Sequence, residues 1–323
     1  MTIHFQTVYT TYYSYLKSVA YHMLGSVSDA EDVVQELFLD VHDKLDRIEH
    51  VKTYLTRATT NRCLNILQSA RKKREVYPGT WLPEPSSEVW QQPNQLAEHI
   101  LQSARKKREV YPGTWLPEPS SEVWQQPNQL AEQRESLSYA FMIMLEQLEP
   151  LERAIIVMRE AYDYPYAEIA QLLDKSEANC RKIYSRAKRK LDPERLKTPV
   201  SQGQQAALVE QFVTAFQRGD SHTLVRLLTD TSILVSDGGG KVSTAINPIY
   251  GRERVVSFLV GVSAKRYTHL TYKMTILNGQ PAVVFYEKET PVSLLMLQME
   301  SQGSHFQHVY FVINPDKIRS GHY

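Results

Sequence analysis

Cysteine is nearly absent: Cys63 and Cys180 are the two in 323 residues. So few exclude a disulfide framework and suit a reducing compartment. No apolar run approaches the ~18 residues that a membrane span requires. The first residues, MTIHFQTVYTTYYSYLKSVAYHML, have no charged leader and no cleavage site, so a cytoplasmic, soluble protein is expected and no membrane partner. Charge of one sign is also missing. The net charge is +1, so any nucleic-acid surface must be local. The ten histidines are scattered without metal-ligand spacing, and neither a metal nor a cofactor is expected.

What is present is a basic helix-turn-helix pattern over 164–191, YPYAEIAQLLDKSEANCRKIYSRAKRKL. Pro165 suits the first turn of a helix. Ile169, Leu172 and Leu173 form an apolar stripe at helical spacing. Asp174-Lys175 make a turn, and Ser176 is a good N-cap for a second helix. There Cys180, Ile183, Tyr184, Ala187 and Leu191 share an inward face. Arg181, Lys182, Ser185, Arg186, Lys188, Arg189 and Lys190 are left outside, where a major groove would meet them. The plainer alternative is a solvated amphipathic helix, but the capped turn before it favours DNA.

Charge is segregated near the amino terminus. Residues 1–50 hold eight acidic and three basic side chains, residues 51–76 one and seven. The acidic part centres on Asp29, Glu31, Asp32, Gln35 and Glu36, with Val34, Leu37, Phe38 and Val41 inward. Ser28 followed by Glu31 reads as a capping box. The basic part is a second helix with Leu55, Cys63, Leu64 and Leu67 inward. Its outer face offers Tyr54, Arg57, Asn61, Arg62 and Asn65, then Arg71 to Arg74. An aromatic among Arg and Asn suits single-stranded nucleic acid. Taken alone, this segment reads better as an ordinary helical bundle with a charged surface.

In order, these segments resemble a bacterial RNA polymerase sigma factor of the small extracytoplasmic-function type. HMLGSVSDAEDVVQELFLDV is similar to the region 2 segment that binds core polymerase, and YLTRATTNRCLNILQSARKKRE to the helix that melts the −10 element. LEQLEPLERAIIVMREAYDYPYAEIAQLLDKSEANCRKIYSRAKRKL resembles region 4, the −35 reader. WLPEP, DGGGK at 237–241 and NPDK at 314–317 resemble the SigJ-like subgroup, which carries a SnoaL-like C-terminal domain. The resemblance implies two all-α domains and an α+β cone: 1–76 region 2, 77–135 linker, 136–197 region 4 and 203–318 the cone. It implies core polymerase and promoter DNA, double-stranded and melted, as partners. It also implies a regulatory contact between the linker and the cone, through Trp81, Pro83, Trp115, Pro117, Asp237, Gly238, Lys241, Asn314 and Asp316.

A tandem duplication interrupts this order. ILQSARKKREVYPGTWLPEPSSEVWQQPNQLAE occurs at 66–98 and again at 100–132, separated by His99. The period of 34 matches a helical solenoid, but Pro78, Pro83, Pro85 and Pro93 forbid a helix pair. An identical copy reads as a recent duplication within a linker. The first copy completes the basic helix, and the start of the second forms a short detached helix or stays mobile. Trp81, Trp90, Trp115 and Trp124 are expected to dock onto a neighbouring domain.

From 203 onward, helices at 203–218, 221–228 and 251–265 flank a strand at 233–235. Four strand-like runs follow, near 268–277, 282–288, 292–299 and 305–312, with a break at Thr290-Pro291. This gives a sheet curled over a helix layer. DGGGK lacks phosphate-loop spacing and reads as a β-turn. Enzymes of the resembled fold use Asp, His or Tyr inside the cone. Asp237, His269, Tyr272, Tyr286 and His308 qualify by type but show no diagnostic spacing, so no enzyme is expected. A small-molecule ligand in the cone stays open. Two rivals remain, a ligand-responsive helix-turn-helix regulator and a cyclase or isomerase with a fused DNA-binding region.

Overall fold

The computed structural model describes residues 5–75, 114–120, 138–191, 202–278 and 280–319. Helices α1 (Phe5–Leu24), α2 (Val27–Val41) and α3 (Val51–Glu75) pack together as the first helical domain. Val33, Val34, Leu37 and Phe38 of α2 bury against Leu16, Val19, Leu55 and Cys63. The N-cap of α2 is Ser26, not Ser28: the Ser26 hydroxyl accepts from the Asp29 N–H at 3.1 Å. Gly25, with φ +67°, ends α1 and leaves Ser26 in extended backbone, the conformation a cap needs.

The second helical domain comprises α4 (Tyr139–Leu145), α5 (Pro150–Ile156), a π turn at Val157–Ala161, α6 (Tyr166–Leu173) and α7 (Glu177–Lys190). Between α6 and α7, Asp174 is left-handed with φ 55° and ψ 51°. The Ser176 side chain caps α7 by accepting from the Asn179 N–H at 3.3 Å. Cys180, Ile183, Ala187 and Leu191 are buried in the same core as the first domain.

The carboxy-terminal part is a six-stranded sheet in the order β2-β1-β6-β5-β4-β3. The strands are β1 (Leu228–Asp237), β2 (Ile249–Tyr250), β3 (Thr271–Leu277), β4 (Gln280–Glu287), β5 (Thr290–Met299) and β6 (Phe306–Val312). Only the β1–β6 pair among them is parallel. Thr290-Pro291 does not separate two strands. Lys288, at φ 59°, makes that turn, and Pro291 sits at the start of β5, where a missing N–H is tolerated.

Helices α8 (Gln202–Arg218), α9 (Ser221–Leu227) and α10 (Arg252–Val262) cover one sheet face. Its interior is filled by the protein's own rings. Phe216 and Tyr267 lie 5.0 Å apart by centroid, Tyr267 and Phe285 5.1 Å, and Tyr267 and Phe311 5.3 Å. The opposite face, with Val284, Leu294, Met296, Tyr310 and Val312, is covered by Leu116 of the linker, by Tyr139 and Ala140 of α4, and by Ile318 of α11 (Pro315–Arg319). Strands β4, β5 and β6 are thus buried on both sides, once by the domain's own helices and once by the rest of the chain, while β3 stays largely exposed.

The two helical domains meet through buried polar groups. Arg153, 3 % exposed, donates to the Met23 carbonyl at 2.9 Å and to Glu146 at 2.8 Å. The Tyr162 hydroxyl lies 2.6 Å from Ser18 Oγ and 2.9 Å from His22 Nδ1, and Tyr164 and Tyr15 share a hydroxyl pair at 2.6 Å. Burial lowers the His22 imidazole from 6.5 to about 3, so it is neutral here, and its Nε2 has no partner among the described residues. An opened interface takes up a proton below 6.5, whereas the closed one resists until about 3. The closed form therefore loses stability as pH falls through that window, by about 1.4 kcal/mol at pH 5.5. Thermal melts should show this slope and His22→Gln should flatten it; an equal slope in both proteins would acquit His22.

Candidate nucleic-acid interface and the docked linker

Helix α7 buries Cys180, Ile183 and Ala187 and turns Arg181, Lys182, Ser185, Arg186, Lys188, Arg189 and Lys190 outward. Three side tethers hold this basic face. Arg181 pairs with Glu177, and its guanidinium lies 4.6 Å from the Tyr166 ring centroid. Lys188 reaches Glu160 at 3.3 Å and the Tyr184 hydroxyl at 2.9 Å, which holds its ammonium above the ordinary lysine range. Arg186 and Lys190 both reach Glu152. Lys182, Ser185 and Arg189 lie in the row opposite the buried one, since residues three and four apart share a helix face.

On α3, Tyr54, Arg57, Asn61 and Asn65 are exposed. Arg62 is drawn instead toward α2, where it pairs with Asp40 and, at 3.5 Å, with Glu36. Asp32, Gln35 and Glu36 lie exposed along α2, and Asp29 and Glu31 are half-buried, Glu31 pairing with Lys17 at 2.7 Å. Partial burial raises the Asp32 carboxyl, and Asp29, Glu36 and Glu31 add to it. Leu39, 78 % exposed, stands among these acids.

The segment 114–120, from the second repeat copy, lies where both helical domains meet the sheet. Its main-chain N–H donors fall at alternate residues, Leu116, Glu118 and Ser120. Leu116 N–H donates to Asp237 Oδ2 at 3.0 Å, and Lys317 Nζ donates to the Leu116 carbonyl. Asp237 and Lys317 pair at 2.7 Å, with side chains 0 % and 6 % exposed. The ion pair therefore brackets one residue of the linker. Pro117 O accepts from the Tyr139 hydroxyl at 2.7 Å. Glu118 N–H donates to Gly25 O at 2.8 Å, and Glu118 O accepts from Tyr21 at 2.6 Å. Ser120 exchanges two bonds with Asn278, at 3.1 and 2.8 Å. Pro117 and Pro119 fall at the positions between these donors, and proline has no N–H to leave unsatisfied.

Side chains complete the seat. The Glu118 carboxylate accepts from Val27 N–H at 2.7 Å at the amino end of α2. Burial pushes that carboxyl above its usual range, and the Val27 N–H opposes the shift. The Trp115 ring carries the Lys317 ammonium 4.1 Å from its centroid. It also rests on Gly25, where a Cβ would come within 2.9 Å of it. DGGGK and NPDK lie side by side. Lys241 pairs with Asp316 at 2.6 Å, and a Cβ on Gly239 would come within 2.5 Å of Asn314. A Cβ on Gly238 would meet the Val242 carbonyl at 2.2 Å.

Trp81, Pro83, Trp90 and Trp124 lie outside the described residues, as does the start of the second repeat copy. The five acid–base candidates do not converge. Asp237 is engaged by the linker, and His269 is exposed. Tyr272 packs near Phe285 inside the cone, while Tyr286, and Tyr310 with His308 stacked on it, belong to the other face. Sequence reading overlooked Tyr21, Glu118, Ser120, Tyr139, Asn278 and Lys317. Of these, Glu118 and Lys317 sat within the motifs WLPEP and NPDK.

The comparisons match this geometry. The family "Sigma-70 region 2" matches residues 8–73, and "Sigma-70, region 4" matches residues 140–191. Together they define a sigma-70-type transcription factor. The ECF RNA polymerase sigma factor SigJ of Mycobacterium tuberculosis is 31 % identical over 278 residues, 82 % of this chain and 76 % of that protein. A probable ECF RNA polymerase sigma factor of the same organism, SigI, is 26 % identical over 294 residues, 89 % of this chain and 86 % of that one. The crystal structure of M. tuberculosis SigJ shares the fold, with TM-score 0.68 and 24 % identity over 98 % of this chain and 99 % of that one. The chain belongs to the extracytoplasmic-function RNA polymerase sigma factors and is of the SigJ type. Among the described residues, no helix is long and apolar enough to cross a membrane.

Removing one partner of a buried ion pair typically costs 3–5 kcal/mol, because the other charge is left uncompensated. Lys317→Met or Asp237→Ala should therefore free the docked segment, seen as faster proteolysis within 114–120 with the sheet still folded. Protection equal to that of the unaltered protein would show that the ion pair does not hold the linker.

Proposed function

We propose that this sigma factor directs promoter-specific initiation through two separate nucleic-acid surfaces and is regulated by its own C-terminal domain. Asp29, Glu31, Asp32, Gln35 and Glu36 offer carboxylates to a basic surface of core RNA polymerase. Tyr54, Arg57, Asn61 and Asn65 engage the melted −10 strand, stacking and neutralising phosphate together. Arg62 joins them once it leaves Asp40 and Glu36. Arg181, Lys182, Ser185 and Arg186 read base edges of the −35 duplex, and Lys188, Arg189 and Lys190 anchor its phosphates. The observation that carries this reading is the capped basic helix α7 within the matched region 4.

In this reading the cone acts by contact rather than by turnover. Its interior is occupied by Phe216, Tyr267, Phe285 and Phe311. Its outer face, with Asp237, Gly238, Lys241, Asn314, Asp316 and Lys317, holds α4 and the linker at Trp115 and Pro117. It thereby sets the separation of the two DNA-binding domains.

Transcription in vitro with purified core polymerase and a promoter library tests the first part. The full chain should confer promoter-selective initiation, and Asp32→Lys with Glu36→Lys should weaken core binding without unfolding the protein. Unchanged affinity would remove α2 from the contact. The repeat supplies a further check. The closure cost of a loop rises only logarithmically with its length. Deleting residues 66–99 leaves one copy that still completes α3 and still provides WLPEP, so fold and promoter choice should survive. Loss of core binding on that deletion would make both copies structural.

A further inference from the structure

We infer that Glu152 is a positioning residue for promoter recognition: it aims the Arg186 guanidinium at the −35 element. The inference rests on the reading of α7 as the −35 reader. Glu152 lies on α5, outside the helix-turn-helix, and is 1 % exposed. All its acceptor capacity faces α7 and its own helix start. Oε1 accepts from Arg186 Nε and Lys190 Nζ, each at 3.0 Å. Oε2 accepts from Lys190 Nζ at 2.7 Å and from the Glu149 N–H at 3.1 Å, closing the capping box of α5.

The tether is unlike the other two on this face. Glu177, which holds Arg181, is 45 % exposed, and Glu160, which holds Lys188, is 32 % exposed. Exposed pairs contribute little and are screened by salt. A carboxylate sunk in the core cannot swing with its partner, so the partner must come to it. Lys190 can do so with one flexible ammonium. Arg186 does so through Nε alone and remains 61 % exposed. Its two terminal nitrogens, with no bond to protein among the described residues, then project from a fixed stem. A planar fork held by its inner nitrogen is pre-organised to bond O6 and N7 of a guanine.

The second partner gives Glu152 another consequence. Lys190 shares the same carboxylate, so part of its charge is neutralised before DNA arrives. It should contribute to phosphate binding less than Arg189, which faces outward and, among the described residues, bonds only the Ser185 carbonyl.

The test uses the full chain with core polymerase and a library varied across the −35 element, comparing Glu152→Gln, Arg186→Ala, Arg186→Lys and the double variant Glu152→Gln/Arg186→Ala. Arg186→Ala should flatten preference at one −35 position by about 5- to 150-fold, the range that one bidentate base contact supplies. Glu152→Gln should flatten the same position, more weakly, and add nothing in the double variant. Arg186→Lys should keep overall affinity but lose the preference, and it reports on the fork even if Glu152→Gln folds poorly. Two failures are distinguishable. If Arg186→Ala leaves the profile unchanged, Arg186 does not read a base and the reading of α7 fails. If Arg186→Ala flattens the profile while Glu152→Gln preserves it, or if Arg186→Lys retains the preference, the positioning role alone is overturned.

Discussion

The main-chain N–H and C=O of Leu116 are held between a buried carboxylate and a buried ammonium, and the arrangement of the domains depends on that bracket. Asp237 ends β1, and Lys317 lies on α11 just past the parallel neighbour β6. The pair thus grows from adjacent ends of the sheet's one parallel connection. An ion pair of this burial needs further polar partners to offset desolvation. The linker's N–H and C=O are those partners, together with the Gly239 N–H that reaches Asp237 Oδ1 at 3.0 Å. The linker is therefore part of what makes the pair tolerable. Both motif loops, DGGGK and NPDK, serve to bring the two charges to one place.

The same logic of burial separates strong from weak electrostatics elsewhere. Glu152 and Arg153 are adjacent and both nearly inaccessible, and they reach different elements: one holds the recognition helix, the other the end of α1. Exposed pairs such as Lys241–Asp316 sit at the rims of these contacts and add little. Orientation between domains thus rests on a few desolvated groups.

Local features were legible in the sequence. The stripe Cys180, Ile183 and Ala187, the left-handed Asp174 and the Ser176 cap each follow from residues within a turn or two of one another. Strands β3 to β6 were legible as strand-like runs, apart from the turn that Lys288 rather than Thr290-Pro291 makes, whereas β2 was not read and β1 is longer than the run at 233–235. Ser26 was missed because its role depends on Gly25 ending α1 where it does. The socket residues were missed for a different reason. Tyr21 and Asn278, or Leu116 and Lys317, are more than two hundred positions apart, and their pairing is set by how domains pack. No periodicity records that.

The alternation of proline in the linker has a thermodynamic side. Pro117 and Pro119 restrict their own backbone and bias Leu116 and Glu118 toward extended conformations before any contact forms. A segment already extended loses less conformational freedom when it is captured. Most of its bonds to the protein are made by main chain, and main-chain bonds exchange readily with water once the segment leaves. Such a peptide can be held by many bonds and still be released without a large entropic debt on return. The seat behaves as a reversible catch rather than a permanent seam.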